Sequence, residues 1–250
     1  MRTISVIFRK ENIRGALPPV RGRNAVVLDI LRASTTMVVA LNNGAKQIVL
    51  AATPEEAHTH AGGLAAGSFL LGGERGGLII KGFDLGNSPR DYTRERVQNK
   101  TIVFTTTNGT RALRDCASEG AATLWIGCLL NVRAVRDALL PLRHDIVLVC
   151  AGTEGVQGAD DAYAAGALVD ALRKSSAFHL DDSAVIAMNH FRAAPKAIQV
   201  LRASLGGRNL IRAGLARDLA DCDGARGSVN LAPKYQPRKN RVTATAASDA

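Results

Sequence analysis

Thr101-Ile102-Val103-Phe104-Thr105-Thr106-Thr107-Asn108-Gly109-Thr110-Arg111-Ala112-Leu113 decides the fold class of this 250-residue chain. A β-branched, apolar run gives way to four polar residues and a glycine, and then to a helical pattern. Strand, short polar loop and helix in that order are the unit of an α/β fold. The loop collects backbone N–H groups and the positive end of a helix dipole, which together favour an anion. Thr106, Thr107, Asn108, Gly109 and Thr110 therefore read as an oxyanion cradle, with Thr110 capping the helix and Arg111 adding a fixed charge.

The same unit recurs on either side. Strands are expected at 4–8, 25–28, 47–50, 69–71, 101–104, 123–126 and 146–150, and helices at 35–42, 54–66, 110–119, 131–140 and 160–174. Thr53-Pro54-Glu55-Glu56 has the form of a capping box with proline at the first helical position. Strands of four or five apolar residues between helices imply a three-layer α/β/α fold around a largely parallel or mixed sheet. A weak internal repeat relates residues 24–66 to 100–142, so two topologically similar halves are one reading. It sets Asp29 and Arg32 at the positions of Thr105 and Asn108. After Asp181 the pattern is mostly helical; residues 1–237 are expected as one catalytic domain and 238–250 as a loose tail.

Composition bounds the partners. No apolar run approaches the length of a membrane span, and the first ten residues lack the apolar stretch of a secretory signal. Cys116, Cys128, Cys150 and Cys222 are scattered, which suits reduced thiols in a cytoplasmic protein. The net charge of +10 invites a nucleic-acid partner. Residues 192–250, however, hold 11 of the 32 lysines and arginines against 4 acids, and Tyr235 is their only aromatic. A solvated basic surface that steers a small anion fits this better than a stacking platform for single strands.

Four further loops join the first. Asp29 ends an apolar strand, with Arg32 and Ser34-Thr35-Thr36 behind it, where open α/β folds bind ligands. Gly72-Gly73-Glu74-Arg75-Gly76-Gly77 presents an acid and a base with little steric bulk. Gly82-Phe83-Asp84-Leu85-Gly86-Asn87-Ser88-Pro89 gathers Asp84, Asn87 and Ser88 in a turn. Ala151-Gly152-Thr153-Glu154 leads to Asp160-Asp161 at a helix start, one acid reading as the cap and the other as facing a cleft. Together these loops should meet along one edge of the sheet. Carboxylates among oxygen donors suit Mg²⁺.

In these segments the chain resembles the 2-phosphosulfolactate phosphatase family. The resemblance is carried by residues 27–36, 72–77, 82–89 and 105–111 and by Cys150-Ala151-Gly152 with Asp161 and Gly166, five motifs in order. It implies a Mg²⁺-dependent phosphatase that converts (R)-2-phospho-3-sulfolactate to sulfolactate and phosphate, a step of coenzyme M biosynthesis or of other sulfolactate-producing routes. On that footing Asp29, Asp84 and Asp161 are the candidate metal ligands, and Glu74 positions or activates the attacking water. Arg111 stabilises the transferring charge, and Arg32, Arg75 and Ser88 take the sulfonate and carboxylate. Three alternatives stand: an aspartyl-phosphate at Asp29, another phosphorylated 2-hydroxy acid as substrate, and a basic nucleic-acid-binding protein without enzymatic activity. No membrane partner is expected, and homo-oligomerisation is left open.

Overall fold

The computed structural model describes residues 1–225 and 229–244. In chain order the strands are β1 (Arg2–Ile7), β2 (Asn24–Leu28), β3 (Gln47–Leu50), β4 (Phe69–Arg75), β5 (Leu78–Ile79), β6 (Thr101–Thr105), β7 (Thr123–Gly127), β8 (Ile146–Cys150), β9 (Phe178–Leu180), β10 (Lys234–Gln236) and β11 (Arg241–Thr243). The α-helices are α1 (Ala33–Asn42), α2 (Pro54–Gly62), α3 (Arg94–Val97), α4 (Gly109–Ser118), α5 (Val132–Leu139), α6 (Ala159–Ser175), α7 (Asp182–Ala193), α8 (Ala197–Ala203), α9 (Leu205–Arg212) and α10 (Asp218–Cys222). The fold is α/β, with a mixed and mostly parallel sheet.

The sheet runs β5-β4-β6-β3-β11-β10-β7-β2-β8-β1-β9. β2, β6 and β8 are buried at every residue, as central strands covered on both faces must be. The two stretches compared in the sequence each fold as strand, helix, strand, helix, and they pair crosswise. β2 lies parallel to β7, and β3 parallel to β6. Between these groups sits the hairpin β10–β11, antiparallel to both neighbours and within itself. Three reversals mean that β4, β6 and β3 run opposite to β7, β2, β8, β1 and β9.

That hairpin corrects two expectations. Residues 238–244 are not loose: β11 pairs with β3, Val242 is fully buried, and Asn240 Nδ2 donates to the Leu50 carbonyl at 2.8 Å. The remainder of the expected tail, 245–250, lies outside the described residues. The strand ends also do not share one edge. They belong to two oppositely directed groups whose carboxyl ends meet at a cleft. Tyr235 and Val242 face inward while their neighbours are half-exposed, the period-2 pattern of a strand compressed into three residues.

Candidate active site

The cleft has a volume of about 470 Å³. Asp29, Leu31 and Arg32 enter it after β2, and Thr153 and Glu154 after β8. Glu74, Gly76 and Gly77 come from the β4–β5 turn, Thr107 and Asn108 from the β6–α4 loop, and Asn87 from the loop following β5. Gly206, Asn209, Leu210 and Arg212 of α9 close it from the C-terminal side. Larger hollows beside β1 and beside α5 contain none of the motif loops.

Asp29 is the acid at its centre. Its Oδ1 accepts from the Ala33 N–H at 3.3 Å, and its Oδ2 lies against Gly109. A β-carbon at Gly109 would come within 2.9 Å of that oxygen and 3.0 Å of Ala33 Cβ, so only glycine lets α4 approach so closely. Burial, with the charges of Glu74 and Asp160 adding to it, pushes the Asp29 carboxyl up to about 7 despite N–H donors from Ala33 and Gly109. Glu74 is buried and clamped: Oε1 accepts from Thr107 N and Oε2 from Gly77 N, both at 2.8 Å.

The anions held by the N-terminus of α4 in this structure are therefore the protein's own carboxylates. Glu74 takes the Thr107 N–H, and Asp29 takes that of Gly109. Thr106 and Thr110 are buried and serve the helix start, Thr110 Oγ1 donating to the Thr106 carbonyl at 2.9 Å. Asn108 faces the cleft with Oδ1 held by the buried ammonium of Lys10 at 2.8 Å. Lys10 lies in an N-terminal segment with no motif, so nothing in its sequence pointed to the site.

Several expected ligands do something else. Arg32 is buried; its Nη1 donates to Asp218 Oδ2 and its Nη2 to the Gly77 carbonyl, each at 2.6 Å. Ser88 Oγ donates to the other Asp218 oxygen at 2.8 Å, so Ser88 and Arg32 meet on Asp218. Arg75 leaves the cleft to tie Ala52 O, Glu74 O and Thr105 Oγ1 together. The glycines beside it permit close backbone packing: a β-carbon on Gly73, at φ +143°, would fall 2.0 Å from the Thr105 carbonyl oxygen. Arg111 points to solvent beside Asp115, its side chain 71% exposed.

The three acids expected to share a metal are not brought together. Asp84 is exposed on the far side of β4, where Oδ2 accepts from Leu71 N at 2.8 Å. Asp161 is buried and staples two strand ends, Oδ1 accepting from Ile30 N at 2.8 Å and Oδ2 from Gly152 N at 2.9 Å. Burial and the charges of Asp160 and Asp29 hold its carboxyl well above the usual range. Neither Asp160 nor Asp161 caps α6; Gly158 occupies the cap. Among the described residues no group of three metal-ligating side chains forms. The donor set still suits a hard cation that needs few protein ligands. Among the described residues Asn87 Oδ1, buried on the cleft wall, has no partner, and neither has Asp160 Oδ1 behind it. Burial pushes Asp160 up to about 6.

Comparison with known proteins bears on this site. A family model described as 2-phosphosulpholactate phosphatase matches residues 10–237. A protein of Symbiobacterium thermophilum is 39% identical over 224 residues, covering 88% of this chain and 95% of its own. One from Deinococcus radiodurans is 42% identical over 196 residues, 78% and 80% of the two chains. One from Caldanaerobacter subterraneus subsp. tengcongensis is 47% identical over 160 residues, 64% and 66% of the two chains. All three carry the name "Probable 2-phosphosulfolactate phosphatase".

Proposed function

This chain belongs to the 2-phosphosulpholactate phosphatase family, and from that premise we propose that its cleft hydrolyses (R)-2-phospho-3-sulfolactate to sulfolactate and phosphate with Mg²⁺ as cofactor. The observation that carries the reading is Asp29. It is a buried acid on the wall of an accessible cleft, at the N-terminus of α4 and beside a second carboxylate. Such a cluster is costly unless a cation or a proton offsets it, and perturbed carboxyls of this kind gather at sites of chemistry.

Asp29 and Asn87 Oδ1 would hold Mg²⁺, in place of the Asp29–Asp84–Asp161 set. Bound there, the ion would neutralise phosphoryl oxygens against the acidic wall and stabilise the charge of the transfer. Both Glu74 oxygens are fixed by N–H groups, yet each keeps a lone pair for a water molecule. Glu74 can thereby orient a water for in-line attack on phosphorus. The new P–O bond forms as the bond to the substrate's C2 oxygen breaks; one proton of the attacking water passes to that oxygen, which leaves as the hydroxyl of sulfolactate, and the other stays on the released hydrogen phosphate. Asp161 keeps Ile30 and Gly152 in place behind Asp29, and the Arg32–Asp218–Ser88 cluster holds the β2 loop against the β4–β5 turn.

Phosphate release from a panel of phosphorylated 2-hydroxy acids, with Mg²⁺ and with a chelator, tests the reading. Preference for the sulfonated compound and loss of turnover on chelation are expected. Equal rates across the panel would remove the substrate assignment, and full activity in chelator would remove the metal.

A further inference from the structure

We propose that Arg212, at the C-terminal turn of α9, is the guanidinium that binds a substrate oxyanion remote from phosphorus, the sulfonate or the carboxylate; this rests on the phosphatase reading above. The charge on the cleft wall carries the inference. Its acids are Asp29, Glu74 and Glu154, and its cations are Arg32 and Arg212. Arg32 is already spent on Asp218 and on the Gly77 carbonyl. Arg75 and Arg111 do not reach the wall, and the Lys10 ammonium is held by Asn108 and by Glu11 at 2.7 Å. Arg212 forms no ion pair or hydrogen bond with any described residue and remains accessible on the wall.

Mg²⁺ would serve the phosphoryl end only, and the sulfonate and carboxylate of the substrate need a further cation on a wall of three acids. Asp29 and the start of α4 mark the end where phosphorus reacts. Arg212 comes from a different wall, placed by α9, which Ser204 caps by accepting from Gly207 N at 3.0 Å. Asn209 on the same helix donates to Glu154 Oε1 at 2.9 Å, which anchors α9 to the β8 loop across the cleft. A guanidinium suits either remaining oxyanion, since its paired N–H groups meet two oxygens at once.

Binding of sulfolactate, which lacks phosphate, to the full chain by calorimetry tests this without depending on turnover; parallel titrations use lactate and inorganic phosphate. Arg212→Gln should weaken sulfolactate by about tenfold or more, the loss of a charge-assisted contact, with phosphate within about twofold. Arg212→Lys should fall between. If lactate weakens equally the partner is the carboxylate, and if lactate is unaffected it is the sulfonate; both support the assignment. KM should rise by a similar factor while kcat stays within about threefold, as for a contact made equally before and during reaction. Unchanged sulfolactate binding in Arg212→Gln, or no binding to the wild-type protein, would overturn the proposal. A wild-type protein that binds sulfolactate through Arg212 but does not hydrolyse its phosphate ester would instead overturn the phosphatase reading.

Discussion

Gly109 and Asp29 stand so close that a β-carbon on the first would lie 2.9 Å from a carboxylate oxygen of the second. The two strand–helix units are locked together at that contact, β2 with its acid and β6 with its helix N-terminus. Gly109→Ala should therefore disturb the site more than the core. The expected outcome is a fall in kcat of about a hundredfold, since small misplacements at a reacting centre have effects of that size. Circular dichroism should show the fold retained.

Acidity should govern the stability of the metal-free protein in an unusual direction. Asp29, Asp160 and Asp161 all have carboxyls raised in the folded state above their ordinary values near 4. Between pH 4 and about 7 the folded chain binds more protons than the unfolded one, so these groups make stability fall as pH rises. Thermal melts in chelator should show Tm rising as pH is lowered from 8 toward 5, and Asp29→Asn should flatten that slope. The stabilisation by added Mg²⁺ should be greater at pH 8 than at pH 5.

Arg32 and Asp218 form an ion pair in which both side chains are 3% exposed. Removing one partner strands a buried charge, so Asp218→Ala should cost about 3–5 kcal/mol in urea unfolding. The double variant Arg32→Ala/Asp218→Ala should lose less than the sum of the single losses. Strict additivity would show that the pair does not couple.

Deletion of residues 234–250 should leave the chain unable to fold, because β10–β11 joins the two strand groups. The measurement is the far-ultraviolet spectrum and solubility of the truncated protein. A soluble, cooperatively melting product would contradict the role given to the hairpin.

What was legible in the sequence were the elements long enough to show a pattern. β2, β6 and β8 and helices α1, α2, α4, α5 and α6 lie within a few residues of their expected positions. β10 and β11 were not legible, because three residues cannot establish a period. The site divides along a similar line. Asp29, Arg32, Glu74, Thr107 and Asn108 do reach the cleft, since each follows or ends a strand. Side-chain direction is not written in the sequence, so Arg75, Asp84 and Arg111 were placed beside a site that they face away from. Asp218 and Arg212 lie in the C-terminal helices, over a hundred residues from Arg32 and Asn108, and carry no local motif.

Arg111→Ala distinguishes the structure from the motif. Its exposed side chain, paired among the described residues only with Asp115, predicts a change in kcat/KM of less than about threefold. A loss of a hundredfold or more would mean that Arg111 swings into the cleft when substrate is present.

The most direct test of the central claim is kcat/KM for hydrolysis of (R)-2-phospho-3-sulfolactate by Asp29→Asn, measured with saturating Mg²⁺ alongside the melting curve of the variant. Asparagine keeps the shape but removes the charge that would hold the metal. The expected loss is about a thousandfold or more, with a chelator-treated Tm at pH 8 no lower than that of the wild type. Activity within tenfold of the wild type would contradict it.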